Sequence, residues 1–331
     1  MSAAQVPLLA VDGGGSKCLA VLVNEDRQIV GTGRSGSCSY QGIGAEAAAR
    51  ELAAAISQAM EEWKSKSGLP APVSGQEGEW GVECAVFGMA GLDTDRDRRV
   101  ITKIVESVLE RLRLRVRRLI VENDGLAALL GATGGHPGIL VIAGTGSIAL
   151  GINGEQQTAR AGGWGHLAGD EGSGYWIGRQ AIMAVLKAAD GRGEATLLRE
   201  KLLSSLGLKQ VDELVNWTYS SQCSVAKMAE LSQLVSQAAE AGDQVATAIL
   251  QQAGEELYQA ARAVIDKLQM RNSHFLLILQ GGVLQNDEYV RMLVTDRIRR
   301  YAPRAVLEQA RHDPICGVIA KGFACLDSRG Q

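Results

Sequence analysis

The stretch GILVIAGTGSIALGI, residues 138–152, decides the fold because it joins two short apolar runs through a glycine-rich turn. Residues 138–142 are rich in β-branched side chains, which is typical of a buried strand. In the following turn, Gly144 and Gly146 let the backbone approach a ligand and direct N–H groups at an anion. Residues 148–152 then return as a second strand. The stretch therefore predicts a β-hairpin with a phosphate-binding tip, not the strand–turn–helix of a dinucleotide fold.

The same arrangement occurs near the N-terminus. An apolar run at 8–11 leads into the turn 12–17, which carries Asp12, three glycines and Lys17, and residues 19–23 return as a second strand. Two such hairpins about one domain length apart predict two similar halves that close on a nucleotide from opposite sides. A later apolar strand at 274–279 runs into Gly281 and Gly282, a pair suited to a flat ring lying on the backbone.

Composition excludes several classes of protein. A length of 331 residues suggests about two domains, and 46% hydrophobic residues can build sizeable cores. A net charge of −3 argues against nucleic-acid and membrane-surface partners, and the sequence contains no apolar run of about 20 residues. The first residues do not resemble a signal peptide, and the six cysteines are scattered without a Cys-x-x-Cys pair, so we expect a reduced, cytoplasmic protein.

Two further strands end in polar or glycine-rich turns. Residues 84–87 run into Gly88, and residues 119–121 deliver Asp124 to the start of a helix of small residues. Open α/β sheets bind ligands at such strand ends. Asp124 is therefore interpreted as a catalytic base, as a helix N-cap, or as both. The basic residues at 111–118 alternate with apolar ones, which favours a solvated face over a nucleic-acid site.

The remainder of the chain is mostly helical. We expect helices at 45–65, 96–112, 172–189, 194–206, 211–219, 224–240, 243–270, 285–301 and 313–322, a surface loop at 68–78, and a short strand at 304–308. The helices between 172 and 270 carry no chemistry that the sequence reveals. We expect them to shape one wall of the cleft and to pack against a partner subunit.

Together these motifs resemble the N-acetylglucosamine kinase family, within the BadF/BadG/BcrA/BcrD ATPases of the actin, Hsp70 and sugar-kinase superfamily. The most specific part is the run from Gly163 to Ser173, with its Trp-Gly-His and Gly-Asp-Glu-Gly-Ser groups. The resemblance implies an α/β fold of two actin-like (RNase H-like) domains with a central cleft, the C-terminal one enlarged by helices. The domains would be 1–119 joined by the final helix 313–331, and 120–312.

The resemblance also implies site residues, with ATP and Mg²⁺ as cofactors, an amino sugar as substrate and a homodimer. Asp124 is similar to the base that takes the proton of the sugar 6-hydroxyl, and Asp12 to the acid that orients hydrated Mg²⁺. The implied nucleotide positions are Gly14, Gly15, Ser16, Lys17, Gly144, Thr145, Gly146, Ser147, Gly281 and Gly282. The implied sugar positions are Ser39, Ala90, Asp124, Thr145, Gly146, Gly163, Trp164, Asp170 and Gly174.

Three positions depart from the family pattern. Ser39 stands where an asparagine often contacts the sugar, Ala90 where animal enzymes have serine, and Ser16 replaces threonine. The sugar is therefore open between N-acetylglucosamine, N-acetylmuramic acid and glucosamine. Two further hypotheses are an ATPase activator of a 2-hydroxyacyl-CoA dehydratase, which would need iron–sulfur cysteines, and a sugar sensor without catalysis. Trp176 is expected in the core, and His166 is expected to order its loop rather than carry a proton.

Overall fold

A computed structural model describes residues 5–15, 17–67 and 80–327, excluding the side chains of Gln5 and Trp80. The chain divides into two compact units, one of Met1–Gly135 with Arg311–Gln331 and one of His136–Ala310. The predicted loop at 68–78 lies outside the described residues. Within the described ranges, no helix is long and apolar enough to cross a membrane.

The first unit is built on a mixed sheet. Its strands are β1 (Gln5–Gly13), β2 (Cys18–Val23), β3 (Ile29–Ser35), β4 (Trp80–Met89) and β5 (Leu114–Asn123), in the order β3-β2-β1-β4-β5. Its helices are α1 (Tyr40–Ile43), α2 (Ala45–Ser67), α3 (Asp95–Arg111) and α4 (Asp124–Thr133). Strand β2 is antiparallel to β1 and β3, whereas β1, β4 and β5 are parallel.

The second unit repeats this topology. Its strands are β6 (Gly138–Ala143), β7 (Ser147–Ile152), β8 (Thr158–Gly162), β9 (Phe275–Gln280) and β10 (Ala305–Glu308), in the order β8-β7-β6-β9-β10. Its helices are α5 (Gly174–Ala189), α6 (Leu198–Leu206), α7 (Asp212–Thr218), α8 (Val225–Glu230), α9 (Ser232–Glu240), α10 (Gln244–Lys267), α11 (Gly282–Asn286) and α12 (Glu288–Tyr301). The two-hairpin, α/β prediction is confirmed.

The chain returns to the first unit through α13 (Pro314–Asp327). The N–H groups of Arg311 and His312 donate to the carbonyls of Ala132 and Gly131 at 3.0 and 3.2 Å. A side chain at Gly317 would lie 2.2 Å from the Ala127 carbonyl oxygen, so the helices α4 and α13 pack backbone to backbone. This close packing fixes the position of α13 against α4.

The burial of strand β1 on both faces explains why its sequence is a continuous apolar run. Leu9 and Val11 contribute to the core on the side of α2 and α3, while Leu8 and Ala10 contribute to the core that includes α13. A parallel-type central strand covered on both faces has no polar alternation. The predicted buried strand at 8–11 is therefore confirmed.

Several element boundaries differ from those expected from the sequence. The domain boundary expected after residue 119 falls after Gly135, because β5 pairs with β4 and leads directly into α4. The single helix expected at 224–240 is two helices, α8 and α9. The helix expected from 285 is also two, α11 and α12, and strand β8 was not predicted at all.

The basic residues at 111–118 belong largely to the edge strand β5, where Arg115 and Arg117 are exposed.

Candidate functional site

In the first unit, the parallel register aligns the carboxyl ends of three strands. Asp12 of β1 is level with Gly88 of β4, which is level with Glu122 of β5. Asp124 follows two residues later, at the first position of α4. With strands about 4.8 Å apart, β1 and β5 lie about 10 Å apart. The structure thus brings the two predicted acids, Asp12 and Asp124, to one edge of the sheet.

The turn after β1 is held by its own backbone. The Gly14 N–H donates to the Lys17 carbonyl at 2.9 Å, and the Cys38 N–H donates to the Gly14 carbonyl at 3.1 Å. The Ala90 N–H donates to the Gly13 carbonyl at 2.8 Å. Both neighbouring loops, including the one that contains Ser39, are thereby tied to this turn. Gly15 and Lys17 are exposed at its tip, and Ser16 lies outside the described residues.

The helix N-cap beside the candidate base is Asn123, not Asp124. The Asn123 Oδ1 accepts from the Gly125 N–H at 2.8 Å, and its Nδ2 donates to the Leu92 carbonyl at 3.2 Å. The N-cap interpretation of Asp124 is therefore wrong, because the neighbouring amide already satisfies this helix end. Asn123 also fixes the loop after β4 to the start of α4.

The surroundings of Asp124 disfavour the ionised form of its carboxyl group. Burial, and then the negative charge of Asp12, raise the pKa of Asp124 from 3.8 to about 6; the Gly125 N–H opposes this rise and Asp93 adds to it. Burial raises the pKa of Asp12 as well, with Lys17 opposing and Asp313 adding. A carboxylate whose pKa lies near neutrality is suited to accept a proton at physiological pH.

The carboxylates of Asp12 and Asp124 also indicate whether this edge of the sheet can bind Mg²⁺. The negative charge of Asp12 raises the pKa of Asp124, and a divalent cation bound at Asp12 would offset that charge. Among the described residues no group of three or more His, Cys, Asp or Glu side chains is arranged around a metal position. Mg²⁺ usually keeps several waters and binds through one or two carboxylates, so Asp12 fits a hydrated ion without such a group.

In the second unit, the turn between β6 and β7 is joined to the start of α5. The Gly144 N–H donates to the Gly146 carbonyl at 2.9 Å, and the Gly174 N–H donates to the Gly144 carbonyl at 2.7 Å. The Tyr175 N–H donates to the carbonyl of Thr145, whose side chain is exposed. A side chain at Gly281, which has φ +95°, would lie 2.4 Å from the Ala143 carbonyl oxygen. Glycine is required there for the two glycine turns to meet.

Asp170 is fixed beneath this turn. It is buried, has φ +58°, and accepts hydrogen bonds from the N–H groups of Ser147 and Gly165. Burial still raises its pKa above the ordinary value, although these donors and His166 oppose the rise. A side chain at Gly146 would lie 2.6 Å from the Asp170 Oδ2. The Ser147 hydroxyl donates to the Glu171 carbonyl at 2.7 Å, so Ser147 holds this loop.

Trp164 and Trp176 have different environments. Trp164 is 60% exposed and follows Gly163, which has φ +72°. Trp176 is 8% exposed within the core of the second unit, as expected. The His166 ring contacts Tyr175 edge to face, with 4.9 Å between centroids, which agrees with an ordering role in the loop.

A cavity of about 660 Å³ in the second unit adjoins Gly144, Thr145, Gly174 and Gly282. From the sequence we expect the helices between 172 and 270 to shape a wall of the cleft, but the sequence identifies no lining residues in them. The other wall of this cavity is the polar face of α9: Ser232, Gln233, Ser236, Gln237 and Glu240. The opposite face of α9 buries Val235 and Ala238. The signal that could have revealed this wall is a polar face made mainly of serine and glutamine, without lysine or arginine.

The chain belongs to the BadF/BadG/BcrA/BcrD ATPase family, whose model matches residues 9–319. It is 33% identical to the N-acetylmuramic acid/N-acetylglucosamine kinase of Clostridium acetobutylicum, over 94% of this chain and 96% of that protein. It is 31% identical to the N-acetyl-D-glucosamine kinase of Dictyostelium discoideum, over 93% and 95%.

A crystal structure from Chromobacterium violaceum, provisionally named an N-acetylglucosamine kinase, has the same fold. Its TM-score with this chain is 0.67 at 27% identity, covering 95% of this chain and 98% of that one. The family resemblance drawn from the motifs is confirmed.

Proposed function

We propose that this protein is a kinase that transfers the γ-phosphoryl group of ATP to the 6-hydroxyl of an amino sugar, N-acetylglucosamine or N-acetylmuramic acid. The observation that carries the proposal is Asp124, a half-buried carboxyl with a pKa of about 6, on the sheet edge that also bears Asp12. The names of the similar kinases from Clostridium acetobutylicum and Dictyostelium discoideum support the choice of sugar class.

Asp124 acts as the general base. Its carboxylate accepts the proton of the sugar hydroxyl as that oxygen bonds to the γ-phosphorus, while the bond between the γ-phosphorus and the bridging oxygen breaks and ADP leaves. The position of Asp124 at the first residue of α4, tied by the Asn123 cap, holds the carboxylate at the strand end. Phosphoryl transfer needs positioning and charge stabilisation more than covalent catalysis, so one well-placed base is sufficient.

The two glycine turns would bind the phosphates. Gly14, Gly15 and Lys17 in the first unit, and Gly144 to Gly146 in the second, expose backbone near a turn tip. Mg²⁺ bound at Asp12 would neutralise charge on the phosphates. The cavity lined by Gly282 and by α9 has the size of a nucleoside site, and its serine and glutamine side chains can hydrogen-bond a ribose or base.

The sugar would contact the buried Asp170 and the exposed Trp164 of the second unit. A carboxylate fixed by two backbone N–H donors can accept hydrogen bonds from sugar hydroxyls without moving. An exposed indole offers an apolar face to a pyranose ring. The remaining sugar positions carried over from the family are Ser39, Ala90, Gly163 and Gly174.

The test is Asp124→Asn, with Asp26→Asn in an exposed turn as the matched control. Asp124→Asn should bind ATP and sugar in calorimetry yet lose about 10²- to 10⁴-fold in turnover, since the base is absent. The control should match wild type, and ³¹P-coupled NMR of the wild-type product should place the phosphate at carbon 6. Near-normal turnover by Asp124→Asn, or phosphate at another hydroxyl, contradicts the proposal.

A further inference from the structure

Asp97 is a buried carboxylate at the third residue of α3 in the first unit. Its Oδ2 accepts from the Thr94 N–H at 2.9 Å and from the Thr94 hydroxyl at 2.7 Å, and the Thr94 hydroxyl oxygen accepts from the Asp97 N–H. This is a capping box, which uses one oxygen of the acid to satisfy the start of a helix. The other oxygen, Oδ1, is therefore available for a second task.

That second oxygen binds the short helix α1. It accepts from the Tyr40 hydroxyl and, at 3.4 Å, from the Gln41 Nε2. The hydrogen bond to Asp97 raises the pKa of Tyr40, as expected for a hydroxyl held by a carboxylate. Helix α1 has only four residues and no side-chain hydrogen bond at its N-cap. A single helical turn is not stable by itself, so contacts such as these determine where α1 lies.

Ser39 lies between two hydrogen-bonded neighbours. On one side, the Cys38 N–H donates to the Gly14 carbonyl in the turn after β1. On the other side, the Tyr40 hydroxyl donates to Asp97. The backbone that carries Ser39 is thereby fixed at both ends.

Ala90 is held in a similar way. Its N–H donates to the Gly13 carbonyl at 2.8 Å, and the carbonyl of the next residue, Gly91, accepts from the Gln41 Nε2 at 3.4 Å. A side chain at Gly91, which has φ +76°, would lie 3.1 Å from the Gln41 Oε1, so the two loops are in direct contact. Each loop is thus tied to the turn after β1 on one side and to Asp97 or its partner on the other.

We propose that Asp97 is a positioning residue for the sugar site and acts through Tyr40 and Gln41. It sets the spacing between the loop that carries Ser39 and the loop that carries Ala90. This inference rests on the proposed kinase function, which places both loops against the sugar. Loops already held in the binding geometry lose less conformational freedom when a ligand binds, so the held pair binds the sugar more tightly than a loose pair would.

The contact with Asp97 is separate from the groups proposed to bind phosphate and to accept the proton. When the Tyr40 hydroxyl is removed, the turn after β1 keeps its own backbone hydrogen bonds, and the Asn123 cap still holds the start of α4 beside Asp124. Loss of the contact is therefore expected to weaken sugar binding and to leave ATP binding and the catalytic step largely unchanged.

The experiment compares wild type, Tyr40→Phe and Tyr301→Phe with whichever of N-acetylglucosamine and N-acetylmuramic acid wild type phosphorylates faster. Tyr40→Phe removes only the hydroxyl and keeps the ring that packs against the core of the first unit. Tyr301→Phe is the matched control, because Tyr301 is also half-buried and its hydroxyl also donates to an aspartate, Asp266. Tyr301 and Asp266 belong to α12 and α10 of the second unit and are not among the predicted site residues.

Tyr40→Phe should raise the sugar KM about 5- to 30-fold, because a hydrogen bond to a charged group is lost, and should change kcat and the KM for ATP less than about threefold. The dissociation constant of the sugar in calorimetry should rise by a similar factor. Tyr301→Phe should keep the wild-type sugar KM. Both variants should lower the thermal midpoint by similar amounts, since each loses one hydrogen bond between a tyrosine and an aspartate.

An unchanged sugar KM in Tyr40→Phe overturns the inference and leaves the kinase proposal intact. An equal rise of the sugar KM in Tyr301→Phe also overturns it, because the effect would then come from a general loss of stability. The same holds if Tyr40→Phe impairs kcat and the KM for ATP as much as the KM for the sugar. No turnover of any amino sugar by wild type contradicts the kinase proposal itself, and this inference with it.

Discussion

Asp124→Asn is expected to make the protein more stable at neutral pH, although on the proposed mechanism it lowers turnover about 10²- to 10⁴-fold. A carboxyl that ionises at pH 3.8 in the unfolded chain and at about 6 in the folded protein costs folding free energy once it is charged in both states. The difference corresponds to about 3 kcal/mol. Because Asp124 is only half-buried and water screens part of the repulsion, we expect a gain of about 1 to 3 kcal/mol.

The direction of the pKa change determines how the stability of the wild-type protein varies with pH. Between pH 3.8 and about 6 the folded state holds a proton that the unfolded state has released, so wild-type stability falls as pH rises through this window. Asparagine does not ionise. The variant should therefore equal wild type near pH 4, diverge from it between pH 4 and 6, and keep a constant advantage above pH 7.

The assay is thermal denaturation in EDTA at pH 4, 5, 6, 7 and 8. An advantage of about 1 to 3 kcal/mol predicts a midpoint about 3 to 10 °C higher for the variant at pH 8. Asp97→Asn in the same unit is the control of opposite sign. Burial opposes ionisation of Asp97, but hydrogen bonds from Tyr40 and Thr94 outweigh it and lower its pKa, so Asp97→Asn should destabilise.

The reasoning is refuted if Asp124→Asn is no more stable than wild type at pH 8, or if its advantage is the same at pH 4. Either result would mean that the Asp124 carboxylate is not destabilised by burial and by Asp12.

Two further predictions concern activity. The wild-type kcat/KM should fall below an apparent pKa near 6, because protonated Asp124 cannot accept the sugar proton; a profile flat down to pH 5 would contradict this. Gly146→Ala should weaken sugar binding at least about tenfold, because its Cβ would displace the Asp170 carboxylate, whereas Gly144→Ala meets no atom closer than 3.8 Å and should leave sugar KM unchanged. Equal sugar KM values in the two variants would remove Asp170 from the sugar site.

The parts of the fold that could be predicted are those with strong local signals. Strands β1 and β6 are continuous apolar runs interrupted by glycine turns, and both hairpins form with the expected direction. Strand β8 could not be predicted, because Thr158–Gly162 contains two alanines and an arginine and is only partly buried at the sheet edge. Its pairing depends on β7 rather than on its own composition.

In the candidate site as well, residues with a strong local sequence signal could be predicted, whereas contacts that depend on packing could not. Asp124 could be singled out because it follows a strand and precedes a glycine. That Asn123 rather than Asp124 caps the helix depends on which side chain turns toward the Gly125 N–H, and both residue types are good caps. The α9 residues that line the cavity could not be identified from the sequence, because they form a wall only when α9 packs beside the glycine turn.

The most direct test of the kinase account is ADP release with Mg²⁺ and ATP across N-acetylglucosamine, N-acetylmuramic acid, glucosamine, N-acetylmannosamine, glucose and no sugar. We predict rapid release with N-acetylglucosamine, with N-acetylmuramic acid or with both, and only background release with glucose or without sugar. Release at the same rate with every sugar and without sugar would indicate an ATPase of another kind, and no release with any sugar would contradict catalysis altogether.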